Sequence, residues 1–164
     1  MPHQRLNRAA LLRGGLGALA FVALGAPKMT FAAEAGYEVH YSPEEWRKRL
    51  GPQRFNILRE AGTEAPFSSK LDYEHRRGTY ACAGCNLPLF ASQTKFESGT
   101  GWPSFYDHLP NAVRTKDDYA LIEHRTEVLC RRCGGHLGHV FDDGPKPTGL
   151  RYCMNGLAML FHPR

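Results

Sequence analysis

RTEVLCRRCGGHLGHVF, Arg125 to Phe141, places two short strand-like runs on either side of a Cys-x-x-Cys turn. Thr126 to Leu129 and His139 to Phe141 read as strands, and the Cys130–Cys133 turn with its following glycines separates them. A Cys-x-x-Cys turn puts two sulfurs on one knuckle. A second knuckle, Cys82-Ala83-Gly84-Cys85, lies upstream with 44 residues between the pairs, from Asn86 to Leu129, so only folding brings them together. Two knuckles supply a tetrahedral four-sulfur site that suits zinc, and four thiolates leave no open position for substrate, which makes such a site structural. The residues alone also allow disulfides among these cysteines, or mixed coordination through His136 and His139; no βαβ pattern supports a thioredoxin-type pair.

Outward from this stretch the texture stays β-like. Thr79 to Ala81, Leu87 to Phe90, Tyr119 to Glu123, Arg151 to Met154 and Ala158 to Phe161 are short runs punctuated by Gly, Pro, Asn and Asp. Their recurrence predicts antiparallel sheets. Upstream, Ser42-Pro43-Glu44-Glu45 predicts a helix start, with Ser42 as cap, Pro43 at the first helical position and Glu45 completing a capping box. Gly51-Pro52 should interrupt that helix, and a second should run from Gln53 to Glu60 with Gly62 as its stop. Trp46, Leu50, Phe55, Ile57 and Leu58 are the expected core residues of this region.

The chain has 164 residues, enough for one domain with a real core. Residues 1–35 differ from the rest: Arg5, Arg8 and Arg13 precede an apolar run from Leu16 to Ala26 and then small residues around Ala32, Ala33 and Ala35. This is the layout of a cleavable export signal, with cleavage after Ala35 and an arginine region resembling a twin-arginine motif in which Asn7 replaces the first arginine. The apolar run is too short for a membrane span. The expectation is an exported, periplasmic protein of residues 36–164. Removing the signal takes away four Lys/Arg and one Asp/Glu, so the formal charge falls from +5 to +2. That is a poor footprint for nucleic-acid binding.

Cys153 remains outside the paired set. In Arg151-Tyr152-Cys153-Met154-Asn155 the two-residue period of a strand puts Arg151, Cys153 and Asn155 on one face. A thiol among such groups is a candidate nucleophile; a buried, inert cysteine is the plain alternative. Ser98-Gly99-Thr100-Gly101-Trp102-Pro103-Ser104-Phe105 reads as a defined loop whose Trp102 can wall an apolar pocket or simply fill the core.

The ordered set CAGC, FESGTGWPSF, RTEVLCRRC, HLGHVFDDGP and TGLRYCMN resembles the B-type methionine sulfoxide reductases, which reduce the R epimer of methionine sulfoxide. The resemblance runs from about Tyr41 to Phe161. It implies a mainly β (α+β) fold of two antiparallel sheets with short N-terminal helices and a structural zinc site distant from the catalytic centre. It implies Cys153 as nucleophile, Cys82, Cys85, Cys130 and Cys133 as zinc ligands, His136, His139, Arg151 and Asn155 as polar active-site residues, and Trp102 as the wall for the substrate methyl group. The implied substrate is oxidised methionine in proteins, and a thioredoxin-like protein is the implied reductant. Two positions depart from the pattern: Thr100 has no sulfur at one place where a resolving cysteine would stand, and Gly156 replaces the usual serine.

Overall fold

The computed structural model describes residues 36–119 and 124–164. The expected export signal lies outside the described residues, as does all but the first residue of the expected strand at 119–123; Tyr119 itself is exposed and not in a strand. No helix among the described residues is long and apolar enough to cross a membrane.

The chain opens with α1, Pro43–Glu60. The capping box forms: Ser42 Oγ accepts from Glu45 N–H at 3.2 Å, and Glu45 Oε2 accepts from Ser42 N–H at 2.8 Å. Gly51 breaks the helix as its sequence suggests, with φ 69° and ψ 171°, a conformation open essentially to glycine alone. The stop differs from expectation. Ala61, not Gly62, takes the left-handed cap position at φ 52°, and a Cβ at Gly62 would meet the Asn56 side chain, which would have to move aside. Trp46, Phe55, Ile57 and Leu58 are buried, and Leu50 is partly buried.

Nine strands follow among the described residues: β1 Gly78–Cys82, β2 Pro88–Ala91, β3 Lys95–Phe96, β4 Ser104–Phe105, β5 Val113–Asp118, β6 Arg125–Cys130, β7 His136–Phe141, β8 Arg151–Met154 and β9 Met159–Pro163. They form two antiparallel sheets, of order β2-β1-β9 and β3-β4-β8-β7-β6-β5. The sheets meet through aromatic rings. Phe90 of β2 stacks on Phe105 of β4 at 4.4 Å, and Tyr80 of β1 meets the same ring edge-on at 4.9 Å. Tyr152 and Met154 join this core, so the two-residue period turns Arg151 and Cys153 to the opposite face of the larger sheet.

The strands β3, β4 and β5 carry little apolar alternation of their own; Val113-Arg-Thr-Lys-Asp-Asp is largely exposed and is held by pairing along the whole of β6. The helix start, the kink and the left-handed cap have unequal costs. Ala61→Gly should raise unfolding stability by about 1 kcal/mol by relieving the cap, whereas Gly51→Ala and Gly51→Asn should each lower it by about 1–3 kcal/mol. Urea midpoints at constant slope check both signs, and a neutral Gly51→Asn would show that the kink tolerates an ordinary side chain.

Candidate active site and cysteine cluster

The two knuckles are the same structure made twice. Cys82 N–H donates to Leu87 O and Cys130 N–H to Gly135 O, both at 2.9 Å; Asn86 N–H returns to Cys82 O and Gly134 N–H to Cys130 O, at 2.8 and 2.9 Å. The residue after each second cysteine takes positive φ, 57° at Asn86 and 67° at Gly134. Thus Asn86, not Gly84, is the counterpart of Gly134. One knuckle ends β1 in the smaller sheet and the other ends β6 in the larger, and α1 packs over them: Arg59 Nη1 donates to Cys133 O at 2.8 Å, while Leu58 lies against Gly135.

All four sulfurs lie within 4.8 Å of one another, with Cys82–Cys133 at 3.7 Å and Cys85–Cys130 at 3.5 Å. A tetrahedral ion with metal–sulfur bonds of about 2.3 Å needs sulfurs about 3.8 Å apart. The group therefore fits one metal ion, and all four cysteines are free thiols rather than disulfides. His136 and His139 are engaged elsewhere. Cys153 lies two strands across and three residues along from Cys130 in the sheet register, roughly 14 Å by strand spacing.

Around Cys153 the register of the larger sheet composes a polar face. Ser104, Cys153, His139, Glu127 and Lys116 stand opposite one another across β4, β8, β7, β6 and β5. Directly opposed residues share a face, with Cβ atoms about 4.5–5.5 Å apart. A register irregularity in β6 at Val128/Leu129 accompanies the approach of His136, whose ring lies 5.4 Å from that of His139.

Each histidine is fixed by a carboxylate. His136 Nδ1 bonds Glu127 Oε1 at 2.7 Å, and His139 Nε2 bonds Asp118 Oδ2 at 2.8 Å. A neutral His136 then carries its proton on Nδ1, and its Nε2 is buried without a hydrogen-bond partner among the described residues. The bond from His136 holds the Glu127 carboxyl below its ordinary value, and burial pushes His139 down against the opposing pull of Asp118. Arg125 closes on Asp118 at 2.6 Å, and Arg151 holds Asp143 through Nε and Nη2, both at 2.8 Å.

The Cys153 thiol is half-buried, and burial raises its pKa while Thr100 and Arg151 pull it back. Thr100 Oγ1 lies 3.9 Å from the sulfur and begins a hydroxyl chain: Thr100 to Ser98 at 2.8 Å, Ser98 to Ser104 at 2.7 Å, and Ser104 donating to Trp102 O at 3.0 Å. Each hydroxyl has one proton, so with a neutral thiol the chain runs one way, from Cys153 to the Trp102 carbonyl. A thiolate requires Thr100 to turn its proton to sulfur. Because S–H is a weak donor and a thiolate a strong acceptor, the hydroxyl favours ionisation.

Two expected site residues are tied to a segment far upstream. Asn155 is buried, its Oδ1 accepting from Glu64 N–H at 3.0 Å and its Nδ2 donating to Leu137 O at 3.2 Å. Trp102, half-buried, donates from Nε1 to Glu64 O at 3.1 Å. Glu64, to which the sequence reading gave no role, therefore joins both. Its buried carboxylate also accepts from Gly156 N–H and Leu157 N–H. Gly156 has no room for a side chain, since a Cβ would overlap Ser69 Oγ. Glu127, Asp118 and Asp143 likewise have no role in the sequence reading.

The assembly is a thiol presented on a β-sheet among paired histidines, carboxylates and an arginine, braced by a four-cysteine knot that fits a metal ion. The SelR domain model matches residues 50–163. The chain is 55% identical over 124 residues to a Methanosarcina barkeri protein, covering 75% of this chain and 87% of that one. It is 53% identical over 127 residues to a Leptospira interrogans protein, with 76% and 96% covered, and 54% identical over 121 residues to one from Thiobacillus denitrificans, with 73% and 92% covered. All three bear the name peptide methionine sulfoxide reductase MsrB. This chain belongs to the MsrB (SelR domain) family.

The hydroxyl chain and the arginine make a testable claim about the thiol. Thr100→Val should move the Cys153 pKa further upward, as should Arg151→Met, each losing a group that favours the thiolate. The pH dependence of Cys153 alkylation, read against Cys153→Ser, measures it; a downward shift in Thr100→Val would reverse the role given to the hydroxyl.

Proposed function

We propose that the protein reduces the R epimer of methionine sulfoxide in oxidised proteins to methionine, with Cys153 as nucleophile. One observation carries the reading: Cys153 shares a sheet face with His139, its cross-strand partner, and with the carboxylate-held His136 beside it.

With His139 depressed and Cys153 elevated, the two groups together hold one proton over the range between them, on the Cys153 sulfur. The thiol proton moves to His139, whose Nε2 is held by Asp118 and whose Nδ1 is the nitrogen left to exchange. Cys153 sulfur attacks the sulfoxide sulfur, and His139 returns the proton to the oxygen, with His136 beside it assisting. Oxygen passes to Cys153, leaving methionine and a sulfenic acid; the substrate sulfur gains two electrons and Cys153 loses two. Arg151, locked to Asp143, stabilises the thiolate, Trp102 walls the substrate methyl group, and Asn155 holds the Glu64 segment to which the indole is anchored.

The thiols of Cys82, Cys85, Cys130 and Cys133 would hold zinc, whose contribution is to cross-link the two sheets. Since those four belong to the cluster, no cysteine remains to resolve the sulfenic acid within the chain. Two external thiols complete the cycle, forming a disulfide and water. With the export signal read at residues 1–35, the donor is an exported thioredoxin-like protein in the periplasm, kept reduced by a dedicated electron supply.

Separated R and S sulfoxides with a chemical thiol test the reaction; Cys153→Ser should abolish it, and equal turnover of both epimers would refute the stereochemical part. The pH dependence has a fixed sign. The rate should be level between the two pKa values, fall on the acid side below His139's ordinary 6.5, where the base is lost, and fall on the alkaline side above Cys153's ordinary 9.0, where the acid is lost. His139→Ala should cost about 10²–10⁴-fold in the chemical step. Metal analysis should find about one zinc per chain, with Cys130→Ser losing both metal and thermal stability. An active, metal-free protein with these cysteines in disulfides would exclude the zinc role.

A further inference from the structure

Ala65-Pro66-Phe67-Ser68 is a tight turn in which Ser68 N–H and Ser68 Oγ–H both donate to Ala65 O, at 3.3 and 2.6 Å. Proline in the second place and a positive φ in the third are the marks of a type II turn, whose third place belongs by steric right to glycine or asparagine. Here it holds Phe67, with φ 62°. A bulky side chain at positive φ is a strained choice, costing of the order of 1–3 kcal/mol, and such strain concentrates at functional sites. The ring gains little burial in return: Phe67 is 57% exposed, an unusual fate for the largest apolar side chain of its segment.

The turn is also rigidly seated. Phe67 N–H donates to Gly101 O at 2.7 Å, and a Cβ on Gly101 would stand 2.8 Å from Phe67 N and 2.9 Å from its ring, so only glycine lets the two segments touch. On the other side, Glu64 is tied to Asn155, Gly156, Leu157 and Trp102. Gly101 lies between Thr100, whose hydroxyl is 3.9 Å from the Cys153 sulfur, and Trp102. Consecutive Cα atoms are about 3.8 Å apart, so the Phe67 turn meets the loop one residue from Thr100, within the reach of about three residues of extended polypeptide from the thiol.

We propose that Phe67 is a specificity-determining residue for polypeptide substrates: its exposed ring is a platform, continuous with the Trp102 loop, for an apolar side chain within three residues of the methionine sulfoxide. This inference rests on the reading of the Cys153 site as the reductase centre. A free amino-acid sulfoxide is too short to touch the platform, whereas the flanking residues of a peptide bound at Cys153 are long enough to reach it. The occupant is extended, apolar polypeptide, because the exposed ring offers apolar contact area and the Phe67 N–H and Ala65 O beneath it are already paired. Phe67 touches no reacting atom, and its contribution is to binding.

The test uses Phe67→Gly and Phe67→Asn, which suit the turn and remove the ring, and Phe67→Tyr, which keeps it. The substrates are N-acetyl-methionine sulfoxide amide and the peptide acetyl-Leu-Leu-Leu-Met(O)-Leu-Leu-Leu-amide, both as R epimers. For the glycine and asparagine variants, the expected result is unchanged or raised thermal stability, unchanged kcat and KM on the small substrate, and a roughly tenfold higher KM with constant kcat on the peptide, about 1.4 kcal/mol. Phe67→Tyr should behave as wild type. If the glycine and asparagine variants keep the wild-type ratio of peptide to small-substrate KM, the platform is overturned while the reductase reading stands. A wild-type protein that reduces neither sulfoxide overturns the reductase reading, and this inference with it.

Discussion

Tyr152 and Met154 are buried against the aromatic core between the sheets, and through the two-residue period of β8 that requirement decides where Cys153 goes. A strand cannot bury two alternate residues without turning the intervening ones to the other side. The same constraint passes across the sheet by register, from Cys153 to His139 to Glu127, so the packing of one face assembles the chemistry of the other. A one-residue slip of β8 would put the thiol in the core and Tyr152 among the histidines.

The cysteine knot serves this arrangement from outside it. It joins the ends of β1 and β6, strands from different sheets, under the cover of Trp46, Leu58 and Arg59 of α1. Sheet contact through Phe90, Phe105 and Tyr80 is extensive but non-directional; the knot is a fixed point that sets how one sheet sits on the other. Because it is roughly 14 Å from Cys153 by strand spacing, its thiols and the nucleophile have separate surroundings.

Local features were legible in the sequence where one short segment contains both partners. The capping box of Ser42 and Glu45, the break at Gly51, the two knuckles and the shared face of Arg151 and Cys153 are all of this kind. Features that depend on long-range register were not. The carboxylates Glu127 and Asp118 become histidine partners only because β6 pairs with both β5 and β7, and nothing near them in sequence distinguishes them from solvated acids. Glu64 was hidden for the same reason, its contacts lying about 90 residues downstream and in the tryptophan loop. The short strands β3 and β4 escaped because two residues have no period to read, and β5 because its exposed charges are held by pairing rather than by burial.

The polar face also has a property that belongs to it as a whole. Arg151 is matched by Asp143, Arg125 by Asp118 and Lys116 by Glu127, so every one of these cations is neutralised by its own carboxylate within the face. Paired charges at short range leave no monopole to extend past a Debye length of about 10 Å in ordinary salt. A sulfoxide is itself dipolar and uncharged. Such local pairing weakens charge steering at this face, which suits a reaction on methionines of acidic and basic chains alike.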